Sequence, residues 1–274
     1  MIKLALLAPI DNSLYARSIC TVLLRETGIQ VSGISVRSHM NIKRFKSEFR
    51  RDGSRLIRKI TEKLILGDQR FADASQPENL LIKADDIGVQ YRSLQKLAHV
   101  HHIPYLRVKD HNEDKNIQFL KSMKPDLIIF TGGGIIRKAI LETAKFGVLN
   151  CHSGILPYYR GMDVVEWTAA EKNYEAVGFG GSLHFMDTGV DTGPILLTNK
   201  IPIQKKDTFE KIRERIEVAM VDLMLLGVIG IRDHQIFPQA QDKNAGRQYF
   251  VIHPRIKKYA EENLSRHLSL NNPE

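Results

Sequence analysis

Cysteine is scarce: the 274 residues contain only Cys20 and Cys151. Two thiols cannot build a secreted disulfide framework or a four-cysteine zinc site. Long apolar runs are missing too, and none reaches the ~18 residues that cross a bilayer. Met1 to Ile10 carries no basic leader, and its apolar run is short enough for a first strand. With 43% apolar and 26% charged residues, the chain has the balance of a soluble globular protein able to bury a sizeable core. Collagen-like and disordered classes are thereby excluded. The expectation is a soluble, cytoplasmic chain that forms one large domain, or a catalytic domain with a modest appendage.

Charge is present but unevenly spread. Lys43 to Arg70 holds ten Lys/Arg against four acids, a surplus of six out of a net +9. Such a stretch suits a phosphate-bearing partner (a nucleotide, tRNA or an anionic surface), and it equally suits a solvated helix face.

The pattern then alternates. Strands are expected at Ile2–Pro9, Ile29–Val36, Pro104–Val108, Asp126–Phe130 and Phe146–Asn150, with extended segments at Val177–Met186 and Pro194–Ile203. Helices are expected at Ser13–Thr27, 41–66 (bent at Gly53), Leu94–Val100, Asn112–Met123, Ile136–Ala144, Asp163–Lys172 and from Asp207, whose N-cap pattern is completed by Glu210. A polar basic helix closes the chain near Arg255–His267, and Gly67–Val89 shows no clear period. Regular alternation predicts an α/β fold with a doubly wound, mostly parallel, Rossmann-like sheet. The ligand crevice of such a sheet lies outside the carboxyl ends of its strands, which points to Thr131–Gly134 and Asn150–Gly161.

Thr131-Gly132-Gly133-Gly134 follows a strand and precedes a helix, as a ligand-contacting loop would, yet it completes neither the dinucleotide nor the P-loop glycine spacing. Asp187-Thr188-Gly189 and Asp191-Thr192-Gly193 repeat a triplet known from aspartic proteases. Two triplets four residues apart on one strand end cannot face each other as that shared-proton dyad requires. His99, His101 and His102 lack a metal-site spacing and read as a surface cluster, so no metal is expected.

Asn150 and His152 stand two residues apart on a strand end and so share one side of it. A loop punctuated by Pro157 and Gly161 follows, and a second strand end brings Asp187 to Gly193 some thirty residues later. This order (Asn-x-His, then Leu156-Pro157-Tyr158-Tyr159-Arg160-Gly161, then Asp191-Thr192-Gly193) resembles the formyltransferase family, over roughly residues 1–205. One departure is His152-Ser153-Gly154, where members often have His-Pro-Ser or His-Gly-Ser.

The resemblance implies transfer of a formyl group from 10-formyltetrahydrofolate to an amine. It implies Asn150, His152 and Asp191 as catalytic residues, with Asp187 the rival carboxylate. It places the folate against Thr131, Gly132, Gly133, Gly134, Ile135, Ile136, Leu156, Pro157, Asp187 and Val190. Tyr159, Arg160, Arg50, Arg51 and Arg55 are the candidates for the acceptor. The implied boundaries are a catalytic domain over 1–205, with a basic helical insertion at about 41–90, and a C-terminal helix and extension over 206–274.

The preferred acceptor is a phosphorylated small-molecule amine, a nucleotide-linked amino sugar, because the Leu-Pro-Tyr-Tyr-Arg-Gly loop is familiar in that branch. Initiator tRNA is the alternative, but it is expected to require a barrel-like RNA-binding domain for which the ~70 residues after Ile203 leave little room. Glycinamide ribonucleotide fits least, since Ile10-Asp11-Asn12-Ser13 lacks the glycine of that enzyme's phosphate loop. A folate hydrolase and a non-catalytic nucleic-acid-binding module complete the alternatives. The latter lacks interleaved aromatics beyond Phe45 and Phe49. No membrane partner is expected, and an oligomer is compatible.

Overall fold

The computed structural model describes residues 1–38, 78–132, 134–242 and 244–271. The expected helix at 41–66, with Arg50, Arg51 and Arg55, lies outside the described residues, as does Gly133.

Seven strands form one sheet: β1 (Ile2–Ala8), β2 (Ile29–Arg37), β3 (Tyr105–Val108), β4 (Leu127–Phe130), β5 (Gly147–His152), β7 (Phe179–Phe185) and β8 (Ile195–Ile201). Their order is β3-β2-β1-β4-β5-β7-β8. The first five run parallel, β7 is antiparallel to both its neighbours, and the sheet is therefore the expected mostly parallel one. Strand β1 shows why its apolar run is continuous. Leu4, Leu6 and Ala8 enter the core on one face, while Ala5 and Leu7 enter the core on the other. Helices cover both faces, so no polar position is needed from Leu4 to Ala8.

The helices are α1 (Leu14–Arg25), α2 (Glu78–Asp86), α3 (Leu94–Val100), α4 (Asp114–Met123), α5 (Lys138–Leu141), α6 (Val164–Ala170), α7 (Phe209–Arg232) and α8 (Pro254–Asn271). Helix α2 falls in the stretch that showed no clear period, and only Leu80 and Ala84 of it are buried. Two contacts on a short helix are too few to register as a repeat. The expected helix at Ile136–Ala144 shrinks to α5.

The start of α7 also differs from expectation. Thr208 is the N-cap, its hydroxyl accepting from Lys211 N at 3.4 Å. Asp207 instead accepts both arms of the Arg215 guanidinium at 2.7 and 2.6 Å and the Gln204 amide at 2.8 Å. A buried carboxylate beside a bidentate arginine has a stronger partner than a cap amide. From there α7 contributes Phe209, Ile212, Ile216, Met224 and Val228 to the same core as β1 and α1.

A second, two-stranded parallel sheet was not foreseen. Strand β6 (Tyr159–Gly161) pairs with β9 (Arg247–Tyr249), so the segment after α7 returns to the loop that follows His152.

Candidate active site

Strand β5 ends at the centre of the sheet's carboxyl edge and delivers Asn150 and His152 there, with Phe130 on one side of Asn150 and His184 on the other. His152 is buried. Its Nε2 lies 2.8 Å from the Tyr159 carbonyl, which can only accept, so Nε2 carries the proton in the neutral ring. The other nitrogen, Nδ1, faces Asp191 Oδ2 at 3.4 Å.

Gly154 packs directly against this imidazole. A Cβ there would stand 2.8 Å from the imidazole Nε2 and 2.9 Å from the Tyr159 carbonyl, so a side chain would pry that bond apart. Below it, Ser182 Oγ accepts from Leu156 N at 3.0 Å and donates to the Gly154 carbonyl at 2.8 Å, pinning the loop to β7.

Asp191 sits between one amide donor and two imidazoles. Gly161 N donates to Oδ2 at 2.9 Å, His152 Nδ1 lies beside the same oxygen, and His184 Nε2 stands 3.5 Å from Oδ1. Burial pushes this carboxyl upward. The neighbouring imidazoles of His184 and His152 and the Gly161 amide overcome that and hold it at about 2. Asp191 is thus a carboxylate at any working pH. His152 moves the other way: burial lowers its pKa, and the Asp191 charge and the Tyr159 carbonyl recover only part of the shift.

His184 was missed by sequence reasoning. Its Nδ1 meets the Phe185 carbonyl at 2.8 Å, leaving Nε2 to accept from Asn150 Nδ2 at 3.2 Å. That contact fixes which end of the Asn150 amide is the donor. A signal existed, since a histidine stands at the end of the wholly buried run of the Phe179–Phe185 strand, but only the antiparallel register sets it opposite Asn150.

The remaining candidates divide. Thr131 is tied to β1, its hydroxyl donating to the Leu7 carbonyl at 3.0 Å. Gly132 and Gly134 take positive φ angles, and a Cβ at Gly132 would meet only Pro9, at 3.8 Å. Ile135 and Val190 are exposed, whereas the Ile136 and Leu156 side chains are buried and Pro157 is half-buried. Asp187 is exposed and closes its own turn, accepting from Gly189 N at 3.0 Å and Thr192 Oγ1 at 2.7 Å.

Tyr159 does not reach the crevice. Its ring is 1% exposed and stacks on Tyr249, and its hydroxyl donates to Glu171, because the pairing of β6 with β9 turns that side chain inward. Arg160 is half-buried, and its Nε has no hydrogen-bond partner among the described residues. Burial drives the Cys151 thiol far up, which leaves it inert as a nucleophile.

An α/β sheet carrying an Asn–His–Asp cluster at the carboxyl end of a central strand defines a class of group-transfer fold. Residues 57–227 match the formyl transferase family, and the chain belongs to it. It is 30% identical over 177 residues to the methionyl-tRNA formyltransferase of Pelobacter propionicus, covering 64% of this chain and 54% of that protein. It is 32% identical over 176 residues to the same enzyme of Thermodesulfovibrio yellowstonii, covering 64% and 56%. The chain thus spans about half the length of the curated relatives it matches. Among solved structures it resembles a sugar N-formyltransferase from Shewanella sp FDAARGOS_354, with a TM-score of 0.58 at 12% identity over 96% of this chain and 88% of that one. It also resembles glycinamide ribonucleotide transformylase 1 from Symbiobacterium toebii, with a TM-score of 0.54 at 17% identity over 88% and 95%. At these identities the structural matches speak for the fold. Among the described residues, no helix is long and apolar enough to cross a membrane.

Proposed function

We propose that this chain transfers a formyl group from 10-formyltetrahydrofolate to a primary amine, with Asn150, His152 and Asp191 as its catalytic residues. The observation that carries the reading is the buried imidazole of His152, with a free Nδ1 beside an ionised carboxylate, on the same strand end as an oriented amide.

The loops flanking this cluster suit the folate. Gly132 leaves its backbone open to a flat ring, and Ile135 and Val190 present exposed apolar side chains nearby in sequence to Gly134 and Asp191. The bound folate would supply the activated formyl group. The chain's own residues do the rest. Asn150 Nδ2 spends one N–H on His184 and keeps the second for charge developing on a carbonyl oxygen. His152 Nδ1 takes the proton that the attacking amine must lose and returns it to the tetrahydrofolate nitrogen as its bond to the formyl carbon breaks, while Asp191 Oδ2 stabilises the imidazolium in between.

The preferred acceptor is a nucleotide-linked amino sugar. The form of the Leu156–Gly161 loop supports it, as does an Arg160 guanidinium with an unspent Nε donor. The basic stretch from Lys43 to Arg70, with Arg50, Arg51 and Arg55, is the proposed seat of its phosphates. Initiator methionyl-tRNA is the second reading, favoured by the names of the curated relatives.

The test is incubation with 10-formyltetrahydrofolate and, separately, a panel of nucleotide-linked amino sugars and charged initiator tRNA, reading formylated product by mass. Formyl product on a sugar is expected. Product on the tRNA alone would replace the acceptor, and no transfer to either would remove the activity.

A further inference from the structure

The carboxylate of Asp191 is held through its oxygens, but its backbone is held from elsewhere. Asp191 is not glycine, yet its φ is +53°, in the left-handed region that side-chain-bearing residues rarely adopt. Something must keep it there. The side-chain amide of Gln241 bridges the two carbonyls that bracket the turn, Nε2 donating to the Asp191 carbonyl at 2.8 Å and to the Gly193 carbonyl at 2.6 Å. Both acceptors are carbonyls, so the amide has one workable orientation, and Oε1 is left buried with no partner among the described residues. Gln241 is itself anchored two residues earlier, where Gln239 and Ile195 exchange backbone hydrogen bonds of 2.8 and 2.7 Å at the start of β8. It also lies beyond 57–227, the residues that match the family.

We propose that Gln241 is a positioning residue for formyl transfer, fixing the Asp191 turn so that Oδ2 meets His152 Nδ1. The proposal rests on the function argued above for this site. Gln241 touches no reacting atom; it acts through Asp191. A shift of about 1 Å in a catalytic group can cost ~10²-fold in rate, so two hydrogen bonds that set one backbone turn have leverage.

The test uses the full chain with Gln241→Glu, which keeps size and length but turns an oxygen toward the two carbonyls, and Gln241→Ala, which removes the donors without adding charge. Two readings separate positioning from mere support. The first is kcat against the KM for 10-formyltetrahydrofolate. The second is the His152 ring titration by NMR, assigned by its loss in His152→Gln. The titratable groups that face His152 are Asp191 and His184; the Asp191 charge raises its pKa, as the Tyr159 carbonyl also does, and His184 lowers it.

With Asp191 displaced, kcat should fall ~10-fold or more, KM should stay within ~2-fold, and the His152 titration should move to lower pH. A lowered Tm with kcat and the His152 titration unchanged would overturn the proposal. Should Gln241→Glu fail to fold, Gln241→Ala carries the same two readings. If the wild type moves no formyl group at all, the function fails instead, and the titration still decides whether Gln241 positions Asp191.

Discussion

Asp187-Thr188-Gly189 and Asp191-Thr192-Gly193 are the same three residues twice, four positions apart, and they do different work. The first aspartate is exposed and spends Oδ1 on Gly189 N and Thr192 Oγ1, closing a turn. The second is turned inward by a left-handed backbone and meets an amide and two imidazoles. Composition is equal; burial and partners decide. Two buried histidines repeat the lesson. At His111, burial and the Arg37 charge outweigh the Asp110 carboxylate and drive the pKa down to about 4. A carboxylate faces His152 and pulls its pKa back up against burial.

The sharpest way to break the first comparison is to remove one charge from each triplet. Asp191→Asn should lower kcat by ~10³-fold, while Asp187→Asn should stay within ~3-fold, both read by formyl product formation. The reverse ranking would exchange the two roles. Next in size, His152→Ala and Asn150→Ala should each cost at least ~10²-fold in turnover of the folded protein, since one loses a base and the other an oriented donor. Wild-type turnover in either would remove the mechanism.

The pH profile tests His152 more finely. The base must be unprotonated, so kcat/KM should fall as pH drops through the His152 pKa, which burial holds below the ordinary ~6.5. An acid limb centred well above 6.5 would contradict that burial. Asp191, ionised down to about 2, should add no limb in the working range.

The second comparison predicts a stability effect. His111 binds a proton more readily unfolded, near pH 6.5, than folded, at about 4. Unfolding free energy should therefore drop as pH falls from about 6.5 to about 4, by at most ~3 kcal/mol from this group, and then level off. His111→Leu should flatten that window in urea titrations. The smallest effect belongs to the outer triplet. Asp187→Ala should cost about 1 kcal/mol of stability, the worth of a local turn hydrogen bond, with little change in rate.

Much of the fold was legible because buried strands announce themselves. Leu4–Ala8 and Leu127–Phe130 are apolar throughout, and the Asn150/His152 spacing already placed two polar side chains on one strand end. What stayed hidden depends on long-range register. His184 acquires meaning only once β7 runs antiparallel to β5, and Tyr159 was assigned to the acceptor because nothing local shows that β9 will turn it inward. Ser182, beneath the Leu156 amide, is a polar residue in a buried strand whose partner lies 26 residues away.

The pairing of β6 with β9 has a consequence in time as well as space. Gly161, whose amide holds Asp191, has a φ of +97° and packs so closely on the Tyr249 carbonyl that no Cβ fits between them. That junction joins segments almost ninety residues apart, and such distant pairings close late, after the local helices and the neighbouring parallel strands. On a growing chain, the sheet and the imidazole can assemble before β9 has been made. The Gly161 amide that holds the Asp191 carboxylate takes its final place only once Arg247–Tyr249 has emerged and docked. A chain broken off before β9 would therefore hold a folded sheet beside an unfinished Asp191 seat.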